Sequence, residues 1–116
     1  MATAEFWQRG ESLDYVNGTQ ATIEANTIVT IGSRIGVTGC AIDPGETGSL
    51  HVVGVFEMPK SSTNKIDMGT PVYWDESGIT EAANDGGSPA TAYAVAGYAA
   101  ADAAASDTTI LVKLCG

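Results

Sequence analysis

A single histidine, His51, limits the chemistry open to this chain, because any imidazole general base must be this residue. It stands in the apolar run Leu50-His51-Val52-Val53, where its ordinary reading is a solvent-facing or hydrogen-bonded strand residue. Serine and cysteine nucleophiles need a base to activate them, so they add nothing without it. Adjacent Asp75-Glu76, or Glu46, have the residue types of an acid/base couple, but Asp75 and Glu76 fall where a turn calls for polar residues. Asn84-Asp85-Gly86 is only a fragment of the spaced oxygen ligands a calcium loop needs. Gly45-Glu46-Thr47-Gly48 has glycines but no lysine, and its Glu46 stands where a phosphate would sit. Cys40 and Cys115 lie far apart with no CxxC spacing, and one histidine with two isolated cysteines is too few ligands for a metal site. The expectation is a pair of reduced, buried thiols, with a Cys40–Cys115 disulfide as the alternative. The residue types point away from catalysis, cofactors and metals.

Composition narrows the partners. The 116 residues suit one domain, 1–116, able to bury a single core without metal or disulfide staples. Fourteen acidic against five basic side chains give a formal net charge of −9. Nucleic-acid binders gain affinity by placing clustered Lys and Arg on phosphates, whereas Arg9, Arg34, Lys60, Lys65 and Lys113 are scattered singly. No nucleic-acid partner is expected. Glycine or polar residues interrupt every apolar run, so no membrane partner is expected either. The start Met1-Ala2-Thr3-Ala4-Glu5 lacks the basic cluster and apolar core of a signal peptide, which predicts synthesis and use inside a cell or a particle assembled there.

The elements that would position any site are strands. Fourteen glycines punctuate short runs rich in Val, Ile and Thr. Strands are expected over Ser12–Val16, ended by the tight-turn pair Asn17-Gly18, then over Thr19–Glu24 and Thr27–Ile31. Ile35–Val37 and Gly39–Ile42 follow as one strand or two, before a turn at Asp43-Pro44-Gly45-Glu46. Ser49–Glu57 reads as one strand with apolar residues on both faces, hence central or covered on both sides. Gly54 marks a bend in it, and Pro59 ends it. Lys60–Met68 is a polar connection. Pro71–Trp74 and Ile79–Glu81 form a hairpin about Asp75-Glu76-Ser77-Gly78, and Ala83–Ser88 is an exposed loop. The alanine-rich span Ala92–Ala105 has helical propensity. Gly97 among Tyr93, Val95 and Tyr98 instead favours a strand to about Ala99, then a loosely held loop. Thr108–Leu114 closes the chain with Ile110, Val112 and Leu114 inward. The fold class is all-β: a small single-domain β-barrel or β-sandwich of short, mainly antiparallel strands, with residues 1–9 as an extended N-terminal arm.

An ordered series of short pieces runs from Gly10 with Leu13-Asp14-Tyr15, through Ile28-Val29, Ile35-Gly36-Val37 and Ile42, to Gly45 and Gly48-Ser49-Leu50. It continues through Val53-Gly54-Val55-Phe56-Glu57-Met58-Pro59-Lys60 to Gly69 with Val72-Tyr73-Trp74-Asp75, Gly78-Ile79-Thr80, Gly97-Tyr98 and Val112-Lys113-Leu114. The series resembles the capsid cement, or head-decoration, proteins of tailed phages, and the Val53–Lys60 run is its closest piece. Ala82–Pro89 and the alanine-rich tract after Tyr98 lie outside the likeness. Members are sometimes labelled as RecA-like recombinases, a label that the missing phosphate-loop lysine argues against.

The resemblance implies a structural phage protein on the outer capsid surface of the virion. It would bind the major capsid protein and clamp neighbouring capsomers of the expanded shell, with no cofactor. Self-association as a trimer is implied, with a dimer as the alternative. The candidate capsid or subunit contacts are Ala4, Phe6, Trp7, Tyr73 and Trp74. Phe6 and Trp7 either pack over an open end of the barrel or belong to an arm that adds a strand to an edge of the capsid protein. Strand alternation turns one of Tyr73 and Trp74 to the core and the other to an interface or solvent. The competing reading is a small β-barrel recognition module that binds carbohydrate or a cell-surface protein through exposed aromatics.

Overall fold

The computed structural model describes residues 2–114, and every regular element among them is a β-strand. The strands are β1 (Ser12–Val16), β2 (Ile28–Ile31), β3 (Arg34–Thr38), β4 (Thr47–His51), β5 (Gly54–Pro59), β6 (Pro71–Trp74), β7 (Ile79–Thr80), β8 (Ala94–Ala99) and β9 (Thr109–Leu114). They form one sheet in the order β1-β4-β3-β8-β6-β7, with β2 branching from β3 and β9 carrying β5 from β8. The strand ladders are antiparallel except β3 with β8, which is parallel at Arg34 and Val95. The all-β, mainly antiparallel expectation holds. It takes the form of a sheet wrapped around one core, whose strand ladders do not close a ring.

Inward positions from most strands meet in that core: Ile35 and Val37 of β3, Met58 of β5, Val72 of β6, Ile79 of β7, and Ile110, Val112 and Leu114 of β9. Alternation accounts for β9, where every second residue is buried as expected. Across the alanine-rich span the strand wins over the helix. Ala96 and Ala99 give β8 a thin inner face that lies close to the core. Pairing with β6 shifts register between Val72 and Tyr73, which leaves Ala96 as the extra residue of a bulge beside Gly97 at φ 147°.

Five expectations are corrected. Residues 19–24 form no strand, only an isolated bridge from Ile23 to Ile42. The cause is Asn17, fully buried, whose Nδ2 donates to Ala21 O and Ile42 O, both at 2.8 Å. Its Oδ1 accepts from Thr19 N and Oγ1, so the side chain claims hydrogen bonds a ladder would have used. Gly39–Ile42 likewise leaves the sheet after Thr38, with Ile42 held by that bridge.

The expected strand Ser49–Glu57 is two strands. β4 pairs with β1 and β3, while β5 pairs with β9, and the chain changes partner across Val52-Val53 into Gly54 at φ 129°. β5 is consequently an edge strand among the described residues. The polar connection and the small-residue loop are not loosely held. Ile66 and Ala103 are buried and exchange two backbone bonds of 2.9 and 2.8 Å, and Met68 N donates to Asp102 Oδ1. Lys60 is also buried, its Nζ donating to Ser62 O at 2.7 Å. Finally, Cys40 is exposed and free, because Ile42 takes the buried position in that segment. Cys115, and with it the disulfide alternative, lies outside the described residues.

Candidate functional site

Residues 2–9 run outside every ladder, and all of them are exposed, Ala4 included. Phe6 and Trp7 are 85% and 90% exposed, so neither packs over an end of the sheet. Gln8 Nε2 to Ser12 O, at 3.4 Å, and a solvent-exposed contact of Arg9 with Glu11 are the arm's ties to the segment that follows it. Such ties contribute little. The arm leaves the domain at Gly10, whose φ of 77° is a left-handed turn that suits glycine.

Tyr73 and Trp74 split as alternation requires. Trp74 packs against the core cluster, opposite Ile79 and Ala94. It also lines a groove of about 400 Å³ with Tyr93, Thr30, Ser33, Glu76 and Thr91. Tyr73, in the opposite phase, lies beside Val95 and is half-buried.

The structure also exposes a surface that residue-by-residue reading missed. Register places Val55 of β5, Lys113 of β9, Tyr98 of β8 and Pro71 of β6 side by side across four strands. Leu111 lies opposite Glu57 on the same outward phase. Val55, Leu111 and Tyr98 are 53%, 41% and 38% exposed. Water-facing strand positions are ordinarily polar, and exposed Val55, Leu111 and Tyr98 clustered around Lys113 and Glu57 suit a contact with an apolar centre and charged neighbours. The signal was in the sequence: both phases of the Leu50–Glu57 run are apolar. That pattern led to the expectation of a covered central strand, whereas β5 lies at an edge with its outward face bare.

The groups considered for catalysis have structural partners. His51 Nδ1 lies 3.3 Å from Ser12 Oγ, and the β1–β4 register makes those residues direct cross-strand partners. Asp75 shapes the hairpin turn: Oδ1 accepts from Ser77 N and Gly78 N at 2.8 Å, and Oδ2 from Ser61 Oγ at 2.7 Å. Burial pushes its pKa up, but those hydrogen bonds outweigh it and hold the carboxyl below its ordinary value. A carboxylate kept ionised in this way is a poor proton donor. Glu76 beside it is exposed at φ 75° and accepts from Thr30 Oγ1 at 3.4 Å. Among the described residues no three metal-binding side chains come together.

Comparison with protein families places residues 7–114 within the model described as phage cement protein. Comparison with curated proteins and with solved structures gives no match.

Proposed function

The chain belongs to the phage cement protein family, and from that premise we propose that it binds the outer surface of the head and clamps neighbouring capsomers of the expanded shell. Membership makes it a phage structural protein associated with the capsid. The clamping itself is non-covalent and involves no turnover. The observation that carries this reading is the outward face of β5, β9 and β8, where Val55, Leu111 and Tyr98 stand exposed around Lys113 and Glu57. Tyr73, on β6, extends that face; Ala4 and Phe6 serve contacts between subunits, and Trp7 and Trp74 contacts with the capsid protein. Each copy contributes a contact on the order of 1,000 Å². Self-association multiplies such contacts by raising the effective concentration of each on the shell.

Co-sedimentation with expanded heads tests the reading. Leu111→Lys with Val55→Glu, both at exposed positions, should leave the domain folded and remove it from the pelleted heads. Unchanged binding would overturn the assignment of this face. Mature virions should carry the chain at a copy number near that of the major capsid protein, and a few copies per particle would overturn the cement role.

The Trp74–Tyr93 groove favours a second reading, saccharide recognition, because aromatic faces beside hydroxyls and a carboxylate suit a sugar ring. A glycan screen that is positive for the wild type and negative for Trp74→Ala would establish it; a uniformly negative screen would remove it.

A further inference from the structure

Two strands present an edge without a ladder among the described residues: β2 pairs with β3 alone, and β5 with β9 alone. Register shows which groups point away. Thr38 N donates to Thr27 O at 2.9 Å, one step beyond the Ile28–Val37 pair. Thr27, Val29 and Ile31 thus hold the bonded positions, and Ile28 and Thr30 turn their N–H and C=O outward. On β5, Lys60 N donates to Thr108 O at 2.9 Å, one step beyond Pro59–Thr109. Val55 and Glu57 therefore turn outward, and the N–H that Pro59 lacks belongs to that same side. Beyond it Ser61 N donates to Ile79 O at 3.0 Å, so β7 meets that end of the edge and the open stretch is Val55–Glu57.

A hollow of about 260 Å³ lies between these edges, lined by Asn26, Ile28 and Val37 on one wall and Phe56, Glu57, Met58 and Pro59 on the other. Small-molecule sites run from about 300 to 1,000 Å³, so this one suits a single bulky side chain better than a ligand. Natural proteins blunt their sheet edges with lysine, proline or bulges. β2 reads Ile-Val-Thr-Ile and has no such residue. The β2 edge beside this hollow, whose lining is apolar but for Asn26 and Glu57, has room for a further strand.

The same chain carries an extended segment without a ladder. In residues 2–9, Ala2, Ala4, Phe6 and Gln8 fall on one face and Thr3, Glu5, Trp7 and Arg9 on the other. That is the alternation of a half-buried strand. The segment is exposed throughout, and its own seam is empty of it.

We propose that residues 2–8 of one copy insert as a strand into the seam between β2 and β5 of a second copy, with Phe6 filling the hollow over Val37 and Met58. Each chain supplies one donor and one acceptor, so a ring of copies closes with no arm or seam left over. Backbone bonds to Ile28, Thr30, Val55 and Glu57 set the register, and Trp7 faces outward. The inference deepens the role given above to Ala4 and Phe6: it names a second copy of this chain as the arm's acceptor.

Sedimentation velocity on the full chain, without heads, tests it. The wild type should associate. Phe6→Ala should weaken association by roughly tenfold to a hundredfold, the effect of losing one buried aromatic. Trp7→Gln should leave it within about threefold, because an outward side chain adds little. Thr30→Pro, which removes an outward N–H, and deletion of residues 2–8 should each give monomers. Mixed together, they should form a one-to-one complex, since one retains the arm and the other the seam. A wild type monomeric at every concentration, an arm deletion that still associates, or an inert mixture would overturn the proposal. Should Thr30→Pro fail to fold by near-ultraviolet circular dichroism, Phe6→Ala decides, since Phe6 is 85% exposed in its own copy. Loss of head binding with this association intact would sink the cement reading alone.

Discussion

Replacing Asn17 by alanine should be among the most damaging single changes available in this domain. The side chain is fully buried and makes four hydrogen bonds: two donated, to Ala21 O and Ile42 O, and two accepted from Thr19. Each such bond contributes about 0.5–1.5 kcal/mol net. Ile42 O keeps a second donor, Ile23 N at 2.9 Å, and Ala21 and Thr19 can reach water, so the loss falls below the full sum. The expected cost is about 3 kcal/mol, or about 12 °C in Tm at roughly 4 °C per kcal/mol for a domain of this size. Urea denaturation should show a lower midpoint with an unchanged slope. Hydrogen exchange should rise over residues 18–26, the excursion Asn17 ties down on its way to β2. Asn17→Asp should be no better than alanine, because a carboxylate would face two carbonyl oxygens. A loss below about 1 kcal/mol, or exchange unchanged over that excursion, would refute the view that this one side chain displaces a strand.

Gly48→Ala should cost about 1–3 kcal/mol by overpacking, since a Cβ there would press on Ile42 Cγ1 and Cδ1; a double mutant with Ile42→Val should be less destabilised than the sum of the two. Asp75 makes a signed contribution with pH: its pKa is lowered in the folded state, so its stabilisation is complete above the ordinary value of 3.8 and is lost as pH falls below it through the folded value. Thermal melts of Asp75→Asn against wild type should therefore converge in acid, and a constant gap down to about pH 2 would refute this. With a net charge of −9 on each copy, self-association should strengthen as salt is raised from about 50 to 500 mM, whereas marked weakening would reveal complementary charges at the contact.

The sequence made the strands legible where side-chain pattern and turn chemistry agreed. Ser12–Val16 ends at Asn17, the hairpin closes about Asp75–Gly78, and Ile110, Val112 and Leu114 point inward, all as expected. It misled where pattern and pairing are different things. Leu50, Val52, Phe56 and Met58 stay in one phase across the break at Val52-Val53, so alternation reports which face is inward and says nothing of which strand is the neighbour. Asn17 was read as half of a turn, whereas its reach to Ile42 O is a contact between distant segments that no local window contains. Cys40 was read inward from residue type alone. For Phe6 and Trp7 the sequence left packing and an arm both open, because aromatics ahead of a first strand suit either; their exposure speaks against packing.

These observations bear on one physical question, how a small protein keeps its binding surfaces in reserve before the shell exists. The apolar face of β5, β9 and β8 and the β2–β5 seam are both costs for a soluble monomer, since exposed apolar faces and open edges invite indiscriminate pairing. Two features restrain them. Pro59 closes one end of the β5 edge to any strand that needs a donor there, which restricts the lengths and registers that can enter. The excess of carboxylates opposes encounter of like copies at low salt. An arm whose apolar face is only Ala2, Ala4 and Phe6 gives a weak contact by itself. On the proposed reading, placing such contacts side by side on a shell would convert weak binding into lasting attachment through effective concentration, and would let the free protein remain largely dispersed. Weakness in solution and strength on the head would then follow from the same short strand.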